Sequence, residues 1–203
     1  MKKALIVVDA QYDFMDGGSL AVPNGSEIIP VINHEIKQHD IVIFTRDFHP
    51  ANHKSFASQH EDKNEFDTID LNGLEQVLWP DHCIQNHRGS DLHDDIEFEN
   101  CKEFYIFKKG IDPEVDSYSG FYDNGGKNST GLSEFLKDKG ITDLTIMGLA
   151  GEYCVKFTAL DAIKEGFKVK LNLNGIRFLS QKTFKVVHIQ EMLDAGIEMK
   201  PIK

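Results

Sequence analysis

Short apolar segments recur along the chain and predict the strands of a buried sheet. Each segment is rich in β-branched or aromatic side chains, and almost no polar residue interrupts it. Such near-continuous apolar runs are typical of parallel strands that are covered on both faces. The predicted strands are 4–8, 41–45, 104–107, 144–148 and 168–173.

Between these strands, apolar residues recur with the period of an amphipathic helix. The segment 26–39 carries Pro30 in its first turn, where the missing N–H of proline costs nothing. The segments 131–140, 154–166 and 180–196 each end at a glycine, as helices commonly do. The alternation predicts one domain over residues 1–203, a three-layer α/β/α fold with a central, mostly parallel, Rossmann-like sheet. In such sheets ligands bind beyond the carboxyl ends of the strands.

Residues 46–100 do not follow this alternation. Their periodicity is limited to a short helical pattern at 90–96. Irregular segments of this length are uncommon in compact domains and usually have a function. Six of the 9 histidines lie here. We therefore expect a long loop region at about 46–100 that binds a metal ion or the substrate.

Charge and cysteine usage narrow the class of protein. The net charge of −11 argues against a nucleic-acid partner or an acidic membrane surface. The apolar run 4–8 is shorter than a secretory signal, and no segment approaches the roughly 18 apolar residues of a membrane span. Three cysteines, an odd and sparse set, fit a reducing compartment. These features favour a cytoplasmic protein without a nucleic-acid or membrane partner.

Three residues with catalytic chemistry follow three of the predicted strands. Cys154 lies where a strand joins a helix, and N–H groups at a helix start can lower a thiol pKa and receive an oxyanion. Asp9 follows strand 4–8 and could carry protons. Lys109 follows strand 104–107 and could stabilise a thiolate, although Lys108 competes for that role. Taken singly, each residue could instead be a buried small side chain, a turn residue or a solvated flank.

The histidines of the loop region suggest a metal site. Asp47 and His49 are two residues apart at the end of strand 41–45, so both side chains can point to one side. His53 or His82 could add a further imidazole ligand, and such nitrogen and oxygen ligands suit Zn, Fe, Mn or Ni. The alternative is a polar loop whose histidines only form hydrogen bonds. Cys83 could in principle be a ligand as well.

Five motifs in order resemble one family, the nicotinamidases (pyrazinamidases) of the isochorismatase-like cysteine hydrolases. The motifs span essentially the whole chain. They read "DAQYDF", "TRDFHPANHKSF", "LWPDHC", "KKGIDPEVDSYSGF" and "GLAGEYCVKFTALDA". Each is weak alone, and their order makes the resemblance specific.

The resemblance implies roles for individual residues. Asp9, Lys109 and Cys154 would form the catalytic triad, and the Lys-Gly step favours Lys109 over Lys108. One divalent metal ion, Zn²⁺ before Fe²⁺ or Mn²⁺, would be held by the set Asp47, His49 and His82, with His53 as a further candidate. The side chains implied around the pyridine ring are Phe14, Trp79 and Tyr118. A cis peptide before Ala150 is expected, with the N–H groups of Ala150 and Cys154 as the oxyanion hole.

The implied activity is hydrolysis of nicotinamide, and of pyrazinamide, through a cysteine thioester in NAD salvage. Relatives are often homo-oligomers, so self-association is compatible with the resemblance. Two alternatives stay open from the sequence. One is another isochorismatase-like enzyme, acting on a carbamoyl or ureido substrate or cleaving a vinyl ether; the other is a catalytically silent binding module. The acidic residues Glu61, Asp62 and Glu65 have no assigned role.

Overall fold

A six-stranded parallel sheet forms the centre of the computed structural model, which describes residues 2–180 and 183–200. The strands are β1 Lys2–Val8, β2 Ile41–Asp47, β3 Thr68–Leu71, β4 Leu74–Val77, β5 Glu103–Lys109, β6 Ile141–Gly148, β7 Lys168–Ile176 and β8 Glu198–Lys200. The order in the central sheet is β5-β2-β1-β6-β7-β8, and every neighbouring pair is parallel. The predicted parallel sheet is therefore confirmed.

Four α-helices cover the sheet. They are α1 Ile29–Ile36, α2 Leu132–Asp138, α3 Lys156–Lys164 and α4 Thr183–Asp194. The connection through α1 runs from β1 to β2, whereas the connection through α3 runs in the opposite direction, from β6 to β7. Because such crossovers are right-handed, α1 and α3 lie on opposite faces, which gives the three layers. Strand β1, one of the two central strands, is accordingly apolar, and Ala4 to Val8 are all fully buried.

The strand order reverses between β1 and β6, and this reversal creates the crevice in which ligands bind in such sheets. At the carboxyl end of β6, Gly148 has a φ of 133°, and a Cβ there would lie 2.0 Å from the Val8 carbonyl oxygen. Only glycine permits that close approach. The two chain segments that follow β1 and β6 therefore start side by side.

The structure differs from the sequence expectation in three segments. Strands β3 and β4 form a hairpin inside 46–100, closed by Asn72 and Gly73 at φ 55° and 86°. Asn-Gly is a strong hairpin signal, so this hairpin is predictable from the sequence. The short edge strand β8 was also not expected. The helix expected at 90–96 is wrong: the segment forms turns, and Asp91 pairs with Arg46 at 2.7 Å instead.

The helix predictions hold elsewhere within the described residues. Pro30 lies in the first turn of α1, as expected. The helix predicted over 180–196 corresponds to α4, although Gln181 and Lys182 lie outside the described residues. None of the helices in 2–180 and 183–200 has both the length and the apolar character that a bilayer crossing requires.

Candidate active site

The carboxyl ends of four neighbouring strands bring four ionisable side chains together. Asp9 and Cys154 follow β1 and β6, whereas Asp47 and Lys109 are the last residues of β2 and β5 and are partners in the strand register. The Lys109 ammonium is the centre of the group. Its Nζ lies 2.8 Å from Asp9 Oδ2, 2.5 Å from Asp47 Oδ1 and 3.4 Å from Cys154 Sγ. Residues far apart in the chain thus meet within hydrogen-bonding distance.

Strand alternation decides which of the two adjacent lysines enters the site. Lys109 is 2% exposed and also donates to the Ser117 carbonyl at 3.0 Å, whereas Lys108 points outward and lies over the Phe48 ring. Burial alone would lower the pKa of Lys109, but the Asp47 and Asp9 carboxylates outweigh it and raise that pKa well above its ordinary value. Lys109 is therefore a permanent cation in the site.

Asp9 is a buried carboxylate whose pKa is raised toward neutral pH. Thr45 donates to Asp9 Oδ1 at 2.6 Å, while Oδ2 contacts Lys109 and has no further hydrogen-bond partner in the described part of the chain. Burial raises the pKa of Asp9 to about 6, although the Lys109 charge works against it. A carboxyl with such a pKa changes protonation state close to neutral pH, as a general acid or base must.

Cys154 lies in a turn of π-helix, Gly151–Val155, which precedes α3 directly. Such turns occur frequently at functional sites. Burial raises the pKa of the Cys154 thiol well above its ordinary value, and the Lys109 charge only partly opposes this. The lowered thiol pKa that the helix start and a neighbouring cation were expected to allow is therefore not found, because desolvation outweighs the Lys109 charge. A carboxylate oxygen of Asp9 lies within 4.8 Å of the sulfur and is a candidate acceptor for the thiol proton.

The backbone beside the thiol has the geometry implied by the resemblance. The Leu149–Ala150 peptide bond is cis. Among the described residues no backbone carbonyl accepts a hydrogen bond from the Ala150 N–H, and Ala150 lines the same cavity as Cys154. The roles of the Ala150 and Cys154 N–H groups as an oxyanion hole remain a prediction.

Three buried residues next to this group could hold a metal ion. One ligand atom from each of Asp47, His49 and His82 lies within 4.8 Å of the others. The Nδ1 atoms of the two imidazoles contact the Gly110 and Pro80 carbonyl oxygens, each at 2.8 Å. These contacts direct both Nε2 atoms toward Asp47, at 3.8 and 3.9 Å from Oδ2. Such outer hydrogen bonds are what orients histidine ligands in metal sites.

The donor set fits a divalent ion. His49 Nε2 and His53 Nε2 are buried and have no hydrogen-bond partner within the described residues, a costly arrangement unless a ligand satisfies them. Burial lowers the pKa of His53 and of His82 to about 4 each, so both are neutral at pH 7, the form that binds metals. The Lys109 and His49 charges hold the pKa of Asp47 well below its ordinary value despite burial.

An aromatic cavity opens directly onto the thiol. Phe14, Trp79 and Tyr118, the three residues implied around a pyridine ring, line it together with Cys154. Trp79 Nε1 lies 3.3 Å from the Tyr118 hydroxyl, which fixes the two rings relative to each other. The structure thus brings together the site residues implied by the resemblance, and His53 belongs to the same cluster through His49. Cys83, the other ligand considered, lies outside the metal-binding groups of the described residues, and its thiol contacts the Gly89 carbonyl instead.

Three further residues of the site were missed from the sequence. Thr45 binds Asp9, Tyr153 lines the aromatic cavity, and Asp116 approaches His49 and His53. Tyr153 precedes Cys154 directly and was readable as a neighbour of the thiol. Asp116 lies two residues before Tyr118 in a loop without periodicity, so no local pattern singled it out.

The position directly after Lys109 of β5 requires a glycine, Gly110. Its φ is 64°, and a Cβ there would lie 2.3 Å from His49 Cε1. We expect Gly110→Ala to displace the His49 ring and to weaken metal binding about 10-fold or more, as the loss of outer support does in metal sites. Metal content after dialysis against a chelator measures this. Gly126→Ala is the matched control, because Gly126 has φ 65° and open space around it. Equal metal retention in both variants would contradict the assignment.

Comparison with known proteins places these features in a family context. Residues 3–180 match the model of the isochorismatase domain. A nicotinamidase of Escherichia coli (strain K12) is 44% identical over 199 residues, covering 96% of this chain and 92% of that protein. The yeast nicotinamidase bound to the inhibitor nicotinaldehyde superposes with a TM-score of 0.90 at 32% identity, covering 98% of this chain and 100% of that one. A pyrazinamidase of Pyrococcus horikoshii in complex with zinc has a TM-score of 0.77 at 34% identity, and each chain is covered completely.

Proposed function

The chain belongs to the isochorismatase family, and we propose that it hydrolyses nicotinamide to nicotinate and ammonia through a thioester on Cys154. One observation supports this most directly: the Lys109 ammonium lies within hydrogen-bonding distance of both the Cys154 thiol and the Asp9 carboxylate, and Cys154 lines an aromatic cavity. Nucleophile, cation and proton carrier are the parts that amide hydrolysis by covalent catalysis requires. Pyrazinamide, a ring of the same size with the same carboxamide, would be a second substrate.

The substrate ring would lie between Phe14, Trp79 and Tyr118, with its carboxamide toward Cys154. Asp47, His49 and His82 would hold the metal ion, with His53 as a further candidate, and zinc in a related pyrazinamidase makes Zn²⁺ our first choice. A divalent ion bound there would act as a Lewis acid toward the ring nitrogen and would anchor the ring. This anchoring would orient the carboxamide carbon over the sulfur, which is a large part of catalysis in bimolecular reactions.

In the first half-reaction Asp9 accepts the proton of the Cys154 thiol while the sulfur attacks the carboxamide carbon. The developing oxyanion would be received by the N–H groups of Ala150 and Cys154, and one such donor is typically worth about 3–4 kcal/mol. The C–N bond then breaks as Asp9 returns its proton to the leaving nitrogen. Ammonia leaves, and the acyl group remains on sulfur as a thioester.

In the second half-reaction Asp9 acts as a base again. It takes a proton from water, and the resulting hydroxide attacks the thioester carbon. The C–S bond breaks, the sulfur recovers a proton, and nicotinate leaves. Lys109 keeps Asp9 and Asp47 in place throughout and lowers the cost of negative charge on the sulfur.

The pKa of Asp9 predicts the pH dependence of the reaction. The free enzyme needs Asp9 ionised, and its pKa is raised to about 6. We therefore expect log(kcat/KM) to be flat above that pH and to fall with unit slope below it, because protonated Asp9 cannot accept the thiol proton. Steady-state ammonia release between pH 4.5 and 8 measures the profile.

Thr45→Val tests whether Asp9 causes the fall of log(kcat/KM) at low pH, called here the acid limb of the profile. The Thr45 hydroxyl donates to Asp9 and thereby lowers the Asp9 pKa, so its removal should move the limb to higher pH. Thr68→Val, at an exposed position of strand β3 with no contact to Asp9 among the described residues, serves as the control and should leave the profile in place. A limb that stays fixed in Thr45→Val would assign it to another group.

A panel of amides tests the function itself. Purified protein supplied with Zn²⁺, Mn²⁺ or Fe²⁺ would be assayed for ammonia release from nicotinamide, pyrazinamide, N-carbamoyl amino acids and simple ureas. We expect strong preference for the two ring amides, because aromatic side chains enclose the site. A preference for a carbamoyl or ureido compound would favour the alternative isochorismatase-like amidase. Turnover of none would leave only a binding function.

The reaction would serve NAD salvage, since nicotinate is the product that a pyridine nucleotide pathway can use. We also propose a cytoplasmic location. All three cysteines are free thiols, and Cys154 must remain reduced to act as a nucleophile. The substrate is a small neutral molecule, so the net charge of −11 does not hinder its approach.

A further inference from the structure

Asp116 is a buried carboxylate that pairs with no lysine or arginine among the described residues. It is 3% exposed, and its oxygens accept one hydrogen bond from the Ser117 N–H at 2.8 Å and one from Gln76 Nε2 at 3.2 Å. Within residues 2–180 and 183–200 no lysine or arginine forms an ion pair with it. Buried charges in proteins are normally paired or bound to a metal ion. In the described part of the chain Asp116 therefore has two hydrogen bonds but no lysine or arginine that would compensate its buried charge.

The groups that Asp116 does approach are two of the metal-site histidines. One oxygen of Asp116 and one nitrogen from each of His49 and His53 lie within 4.8 Å of one another, and all three residues are buried. The Nδ1 atom of His53 is engaged by the Ser55 hydroxyl at 2.7 Å. Its Nε2 atom is buried without a partner, and so is Nε2 of His49. An Asp116 oxygen thus lies near one nitrogen of each imidazole, and each imidazole has one buried nitrogen without a partner among the described residues.

His49 belongs to this trio and also to the trio with Asp47 and His82. Its Nδ1 atom is occupied by the Gly110 carbonyl, so only Nε2 can bind a metal ion. One nitrogen lone pair serves one ion. The two trios therefore cannot each hold an ion through His49 at the same time.

We propose that Asp116 is a second anionic ligand of the metal centre and binds the ion from the side of His49 and His53. Asp47 already shares its charge with Lys109, through a contact of 2.5 Å. Asp116 has no such competitor and supplies the negative charge that a divalent ion needs. A ligand set with two carboxylates also suits Mn²⁺ and Fe²⁺ better than one with histidines and a single carboxylate. This inference rests on the metal site of the proposed function but does not depend on the substrate.

Asp116→Asn removes the charge and keeps the shape. We expect the dissociation constants for Zn²⁺ and Mn²⁺ to rise about 10- to 100-fold, with the larger effect for Mn²⁺, as loss of metal-site partners typically does. Competition with a chromophoric chelator measures both constants without any substrate. Asp123→Asn is the matched control, since Asp123 is a buried aspartate of the same loop whose oxygens accept only local bonds from Lys127 and Asn128. Unchanged constants in Asp116→Asn, or an equal loss in the control, would overturn the proposal.

Thermal unfolding separates a ligand from a merely structural residue. If Asp116 binds the ion, Asp116→Asn should leave the metal-free Tm unchanged or raise it, because an unpaired buried charge is removed, while the gain in Tm on adding metal shrinks. A structural role would lower Tm equally with and without metal and would refute the proposal. The visible absorption of the Co²⁺-loaded protein is a second readout, expected to change in Asp116→Asn and not in Asp123→Asn. A protein inactive on nicotinamide but with these metal effects would refute the proposed function alone.

Discussion

Replacing Cys154 by alanine should lower the rate of ammonia release from nicotinamide by at least about 10⁴-fold, because removal of a nucleophile abolishes the covalent route and leaves only binding and oxyanion effects. The variant should still bind nicotinamide and metal, since the Cys154 side chain does not belong to the Asp47, His49 and His82 trio. Steady-state assays for turnover and calorimetric titration for binding give the two readouts.

The other cysteines provide the control for this experiment. Cys101→Ala changes a half-buried thiol far from the strand ends in which the site lies and should retain full activity. Intact-protein mass spectrometry after brief exposure to nicotinamide should detect a nicotinoyl adduct in the unaltered protein and in Cys101→Ala, and none in Cys154→Ala. Turnover by Cys154→Ala within 10-fold of the unaltered protein would contradict the thioester mechanism.

Lys109→Met should affect stability and activity together. The Asp9 and Asp47 carboxylates, both buried, would then face each other without the ammonium that lies 2.8 Å from one and 2.5 Å from the other. Leaving buried charges uncompensated typically costs about 3–5 kcal/mol, so the free energy of unfolding should fall by that amount at pH 7. Urea denaturation followed by circular dichroism measures it, and amide hydrolysis should be lost in the fraction that remains folded.

Lys108→Met is the control that the chain itself offers one residue away. Lys108 is exposed, and among the described residues its ammonium contacts the face of the Phe48 ring, at 3.9 Å from the centroid. Exposed cation–π contacts are worth about 0.5–1 kcal/mol. We therefore expect a loss of at most about 1 kcal/mol and no loss of activity. A similar destabilisation in both variants would mean that the charge network around Lys109 contributes little to folding.

The sheet and the position of the site were predictable because they depend on local patterns and on handedness. Five apolar segments became five strands of the central sheet, and their carboxyl ends hold Asp9, Asp47, Lys109 and Cys154. From the residues alone, either Lys108 or Lys109 could be the cation beside the thiol. Strand alternation separates the two only when it is known which face of β5 is directed toward the crevice. Strand register supplies that knowledge, since Lys109 is the direct partner of Asp47.

The remaining features depend on contacts between distant segments. The segment 90–96 has a helical pattern, yet Tyr12 stacks on His93 with ring centroids 4.6 Å apart and Arg46 binds Asp91, so tertiary contacts override local preference. The raised pKa of Cys154 could not be foreseen from its place at a helix start, because the degree of burial is a property of the whole fold. Asp116 entered the site through loop geometry that no periodicity encodes.

Asp47 joins two networks that a protein engineer would wish to adjust separately. Its Oδ1 atom contacts the Lys109 ammonium, and its Oδ2 atom faces His49 and His82. Any attempt to retune ion selectivity by changing this side chain will disturb the electrostatic partner of the reactive thiol as well. Redesign of the metal preference therefore has to start at the periphery of the centre, from residues that do not touch Lys109.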